Sequence, residues 1–323
     1  MMSGWPLRRP LRSGLGRSLA LPLSRGVPDF GDLRAGMPAG STYTRPDSAP
    51  NLATGLRLDG TLARFSINEP QRTDRGLVLE PAATNHLRYS QGFDNASWSK
   101  TGANVSANSA PAPDGTTTAD TLVEDTSSGF HQILQTYAAA SVSDKVSFST
   151  FFKAAGRSKI EFGGNWGFSQ IIVDLTTGAI TGSGASKAEA MPFADDVWRV
   201  TFTDFPPDTV TRSYVARLHD GASDSYMGDG ASGVITWQAD LTISDAAMSP
   251  IFTEGAAATR GLPVMDWPVP SGRSRILLTF ADASELLVEG LTPGGTFDVV
   301  TPVLAAGKGR FGVSEMVDWE WRA

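Results

Sequence analysis

The chain of 323 residues contains no cysteine and only three histidines, His86, His131 and His219. Without cysteine there is neither a disulfide framework nor a thiolate metal site. The histidines stand far apart without ligand spacing, so no metal and no other cofactor is implied. No run of about 18 apolar residues occurs, which argues against a transmembrane helix. The early "LALPL" is too short for the apolar region of a secretory signal and is flanked by arginine. A soluble protein without membrane insertion or signal peptide is expected.

Base is scarce as well, except at one end. Residues 1–26 hold five arginines and no acid, so the whole chain's −7 less the arm's +5 leaves −12 on the rest. An acidic body argues against nucleic acid as a ligand, because phosphate binding needs a dense basic face. Hydroxyl-rich and neutral ligands stay open. Glycine and proline, at 34 and 20 residues, favour many short elements joined by turns over long helices.

Four segments follow. Residues 1–40 form an extended basic arm rich in Pro and Arg, either a disordered terminus or a docking peptide that orders on a partner. Residues 41–89 hold short extended pieces, among them "GLRLDG", "TLARFSI" and "RGLVLE", and form an extended linker or adaptor. Each piece is too short to fold alone, so it is expected to lie against another domain or chain. Residues 90–260 carry strand-like runs separated by turns, with clean alternation in Lys145–Phe151 and Trp198–Thr203. That alternation predicts antiparallel sheets with one wet face, and Asp174–Ile180 predicts a hairpin turn at Gly178. The fold class is all-β, a jelly-roll sandwich. Residues 261–323 read as a small C-terminal β domain, with a hairpin around "ADAS" and a turn at "TPGG" before another strand. A unit of that size needs support, for which neighbouring copies in a homo-oligomer are the obvious source.

Several stretches then carry a resemblance. "GLVLEPAATNHLRYSQGFDNASWSK", "APDGTTTADTL", "FSTFFKAAGRSKIEF", "DDVWRVTFT", "YMGDGASGVITWQADL" and "SPIFTEGAAATR" occur in this order. Together they resemble the carbohydrate-binding-type jelly-roll module of bacteriophage tail fibres and of head spikes of phage-like gene transfer agents. The similarity runs over residues 42–260, and "PSGRSRILLTFADASELLVEG" resembles a tail-fibre C-terminal hairpin. One departure is that the family's "GAQLE" reads "QADLT" here, Gln238 to Thr242, without the usual closing acid. The resemblance implies a spike or fibre subunit on a virion or particle surface. Its arm would dock on capsid or tail proteins, and its sandwich would bind host capsular polysaccharide for adhesion. The 41–89 stretch would then be a lead between arm and sandwich.

Sugars are recognised by aromatic faces together with Asn, Gln, Asp and Arg side chains. Trp166, beside Asn165 in the glycine-rich "GGNWGF", is one candidate platform. Tyr226 in "SDSYMGDG" is another, with Asp224 and Asp229 as acceptors, although a turn held by aspartates explains them equally. His219, just before that loop, offers a further hydrogen bond or is an ordinary rim residue. Trp98, Trp198 and Trp237 read as packing residues, and Trp319 with Trp321 as one buried face of a C-terminal strand. Asp195 and Asp196 point to opposite faces if extended, which suits a turn better than paired acid catalysis. The expectation is a non-enzymatic binding subunit. The competing readings are a polysaccharide depolymerase and a decoration protein that has lost its ligand.

Overall fold

The computed structural model describes residues 30–49, 53–138, 145–164, 170–204, 211–306 and 314–323. It is all-β apart from short helical turns and one helix. Two six-stranded antiparallel sheets form a jelly-roll sandwich. One runs in the order 188–192, 198–204, 146–155, 233–243, 119–124, 103–110. The other runs 180–181, 170–174, 159–163, 211–219, 132–138, 99–101.

Alternation decides which side chains meet between the sheets. Phe148, Phe152, Val200, Phe202 and Leu241 from the first sheet face Ile160, Phe162, Ile171, Tyr214 and Leu218 from the second. The rings interlock edge to face, with Phe152 5.5 Å and Phe148 6.4 Å from Phe162. Trp98 packs into this core against Phe93 and Tyr214. The hairpin at Gly178 forms as read: its amide donates to the Asp174 carbonyl, and Val173 pairs with Ile180.

The wet face expected along residues 145–151 is absent, because Ser147, Ser149 and Phe151 are buried. Residues 247–249 lie over the serines, and Leu62 and Phe252 pack over Phe151 and Trp237 in a second apolar layer. The Leu56–Leu58 run also changes: the strand Ala53–Leu56 ends there, and Leu58 is exposed in the turn to Leu62–Phe65. Asp59 terminates it by accepting from Thr61 N and Oγ1.

Residues 30–89 are more than a lead into the sandwich. Phe30–Asp32 pairs with Asp318–Glu320, Thr42–Thr44 with Val264–Asp266, and Leu77–Leu79 with Ser314–Met316. The two ends of the chain thus build one second β unit around Leu33, Leu77, Met265, Trp267, Ile276, Trp319 and Trp321. The support that the C-terminal piece needs comes from its own chain. Trp319 and Trp321 are buried on one face of Ser314–Arg322, as the spacing predicts. The strand expected after "TPGG" is Thr296–Asp298, and the chain then turns into a helix, Val300–Ala306. The Asp298 carboxylate accepts from Val300 N and Thr301 Oγ1, and Pro302 is tolerated in the first turn.

Buried charge joins the two units. Glu80 and Arg260 pair at 2.9 Å, as do Arg45 and Asp47, with all four side chains fully buried. Gln71 Nε2 and Ser249 N also donate to Glu80, and Gly261 N donates to Asp47. These residues belong to the stretches that carry the family resemblance or border them, so those stretches have a packing role of their own.

Candidate functional site

Strand pairing places Gln132, Arg217 and Glu161 side by side on the outer face of the second sheet. Arg217 Nε donates to Gln132, and its Nη1 donates to Glu161 (2.9 Å) and to Asp224 (2.6 Å). The half-exposed Phe130 ring lies 4.1 Å from the guanidinium carbon. Burial pushes the Glu161 carboxyl up, against the pull of Arg217. His219 stands at the same end of the sheet and accepts from Gly221 N through Nδ1, so it fastens its own turn, and burial lowers its basicity. The structure therefore brings Asp224 and His219 to one sheet end.

Tyr226 and Asp229 turn to another cluster. Tyr226 Oη donates to Glu124 Oε2 at 2.6 Å, and Arg157 Nε donates to the same oxygen at 2.7 Å. Asp229 N donates to Glu124 Oε1. The Tyr226 ring is half-buried between the Arg157 guanidinium (5.0 Å) and the His131 ring (4.7 Å). Burial, then the bond to Glu124, raises the phenol pKa. Asp229 accepts from Ser232 N and Oγ and from Ala231 N, which holds its carboxyl well below the usual range. These contacts close the loop on itself.

Asn165 and Trp166 lie outside the described residues. Their flanking strands fix where that connection leaves the sheet: Gly163 pairs with Gln170 and Val215, whereas Lys159 pairs with His219. Gly163 and the His219 turn that leads to Tyr226 thus lie at opposite ends of a five-residue strand, about 13 Å apart. Asp195 and Asp196 both have positive φ, near 58°, in the turn before Trp198. That is the turn reading of the pair.

A wide groove of about 800 Å³ lies elsewhere. Its walls come from Arg64, residues 89–92, Asn108, Thr118 and residues 252–258. The Arg64 guanidinium is held flat against the Phe252 ring at 3.6 Å and donates to Asp114. Turned so that its Oε1 accepts from Trp237 Nε1 (2.7 Å) and Arg64 Nη2 (3.1 Å), the Gln91 amide meets both donors and lines the groove. The half-buried Tyr89 ring, the exposed Asn108 amide and the exposed Glu254 carboxylate complete the lining.

Tyr89 and Asn108 both sit at positive φ, 53° and 50°, which is rare for a bulky aromatic. The Tyr89 carbonyl is fixed by Trp98 Nε1, and the following Ser90 is bonded to Gln238 and Thr253. An aromatic ring, a planar cation, two amides and a carboxylate around a wide groove can stack on a sugar C–H face and bond its hydroxyl pairs. Sequence reading missed this site because its parts lie up to 190 residues apart, roughly from Arg64 to Glu254. The visible signal was the "RYSQG" and "IFTEG" pair, which had been read only as family likeness.

No protein-family model and no curated protein matches the sequence. Among solved structures, the enzymatically active domain of bacteriophage CBA120 tailspike protein 4 is similar at 13% identity and TM-score 0.32, over 49% of this chain and 21% of that one. The N-terminal modules of Clostridium thermocellum endo-1,4-beta-D-xylanase 10B, complexed with xylohexaose, give 13% and 0.32, over 52% and 30%. The mannan-recognising carbohydrate-binding module TmCBM27 gives 10% and 0.26, over 52% and 98%. The chain thus spans less than a third of the first two proteins.

Proposed function

We propose that this protein is a non-enzymatic, carbohydrate-binding spike or fibre subunit exposed on a phage or phage-like particle. The observation that carries the binding reading is the open groove in which Tyr89, Arg64, Gln91, Asn108 and Glu254 converge. Its mixed polar and apolar lining suits a neutral, hydroxyl-rich host polysaccharide. The face around Arg217, Asp224 and Phe130 offers a second contact for a long chain. The particle reading rests on the ordered sequence resemblance and on the basic arm, which would dock on capsid or tail proteins. A homo-oligomer would multiply weak sites, adding about 10² to 10⁴ in apparent affinity without new contacts.

A glycan array with the full chain and a Gln91→Ala/Asn108→Ala variant tests the binding reading. Wild type should retain defined polysaccharides that the variant releases, with their chain length unchanged after incubation. Shortened polysaccharide would instead establish the depolymerase. Retention of no glycan would leave the decoration role.

A further inference from the structure

Arg199 lies on Trp198–Asp204, one position before the core residue Val200, and therefore projects to the outer side of the first sheet. It is only 6% exposed. Among the described residues it forms no ion pair within 4 Å, and its Nε has no hydrogen-bond partner. Its Nη2 donates to Ser149 Oγ (3.3 Å) and to the Met248 carbonyl, both uncharged. A buried guanidinium held this way is costly, because burial removes water while Asp240, Glu80 and Glu189 act on it only from beyond ion-pair distance. Two of these acids are engaged elsewhere: Glu80 binds Arg260 and Ser249, and Asp240 accepts from Ile251 N, Asn85 and Ser149 Oγ.

Arg199 also lines a cavity of about 420 Å³ between the two β units. Leu56, Leu62, Val78, Phe151, Met191 and Phe193 make its walls largely apolar. The lining carries three cations, Arg57, Arg75 and Arg199, and two acids, Glu189 and Glu315, and Glu315 is already bonded to Arg75 at 3.2 Å. One cation is therefore in excess. The cavity holds a body of monosaccharide size, and it is separate from the groove around Tyr89.

We propose that this cavity is a second ligand site, in which a carboxylate on a compact organic body pairs with the Arg199 guanidinium. A single negative charge balances the excess cation, whereas a dianionic phosphate would carry a second charge into apolar walls. Two sources share this chemistry, a uronic-acid residue of an acidic polysaccharide and a free aliphatic acid.

The full chain is titrated with D-glucuronate, hexanoate, D-glucose and inorganic phosphate, read by calorimetry and thermal shift, alongside Arg199→Met and Met191→Trp. At least one carboxylate should bind and raise the melting temperature, with glucose and phosphate inert. Response to glucuronate alone assigns the uronate, to hexanoate alone the aliphatic acid, and to both the carboxylate itself. Arg199→Met should weaken that binding by at least about tenfold while its unliganded melting temperature stays at or above wild type, since an unpaired buried charge has been removed. Met191→Trp, which fills the cavity and leaves Arg199 in place, should abolish the shift even if Arg199→Met fails to fold. Absence of binding by both carboxylates, equal response to glucose or phosphate, or binding that survives Met191→Trp would overturn the proposal.

Discussion

Glu80→Gln should be among the most damaging single changes in the molecule. Glu80 accepts from Arg260 Nη1, Gln71 Nε2, Ser249 N and Ser249 Oγ, so every approach to its carboxylate is occupied by a donor. The amide removes the charge and turns a donor toward donors, while Arg260 stays fully buried with Ser249, the Pro81 carbonyl and Met248 Sδ, all uncharged, as acceptors. Breaking one partner of such a buried pair costs about 3–5 kcal/mol. At roughly 2–4 °C per kcal/mol, the first unfolding transition should fall by on the order of 10 °C. The assay is urea and thermal denaturation followed by tryptophan fluorescence on wild type, Glu80→Gln, Arg260→Met and the Glu80→Gln/Arg260→Met double variant. The double variant should lose less than the sum of the singles, because no uncompensated charge remains. Strict additivity, or Glu80→Gln within about 0.5 kcal/mol of wild type, would refute the weld between the two units.

Asp240 is fully buried and its carboxyl is pushed up to about 7, chiefly by burial. Between roughly pH 4 and pH 7 the native state therefore holds a proton that the unfolded chain releases, so stability should fall as pH rises, by about 4 kcal/mol in all, and level off above pH 7. Asp240→Asn should flatten this slope in urea midpoints measured from pH 4 to pH 8, and an unchanged slope would assign it to other groups. Gly178 has φ +73°, and a Cβ there would overlap the Trp198 ring. Gly178→Ala should thus cost about 2–4 kcal/mol by denaturant titration, against about 1 for Gly115→Ala, where the space is open. Equal losses would show that Trp198 yields easily. Deleting residues 1–26 should abolish incorporation into particles while sparing the strand Phe30–Asp32. Deleting residues 1–40 also removes that strand and the buried Leu33, and should lower the melting temperature as well.

Much of the strand structure was legible because it rests on neighbours in sequence: the strand Gly233–Ile243, the Gly178 hairpin and, in the second unit, the Trp319/Trp321 face. What escaped depends on contacts between distant segments. Ser147 and Ser149 look solvent-facing, yet residues 247–249 cover them. Leu77–Leu79 looks like a piece of linker, yet its partner strand begins at Ser314. The left-handed Gln238 opens a bulge where the pairing of 146–155 with 233–243 shifts register, and no glycine marks it. The candidate site followed the same rule. A search for aromatics on glycine-rich loops found Tyr226, whose ring lies between Arg157 and His131. The groove itself is formed where the Arg64 strand, the Tyr89 turn and the Phe252 segment meet.

The most direct measurement is the affinity of the full chain for its best-retained polysaccharide, by isothermal calorimetry, beside Tyr89→Ala and Tyr226→Phe. If the groove is the binding site, Tyr89→Ala weakens binding by about tenfold or more with little change in melting temperature, and Tyr226→Phe binds as wild type. Undiminished binding by Tyr89→Ala would contradict the account.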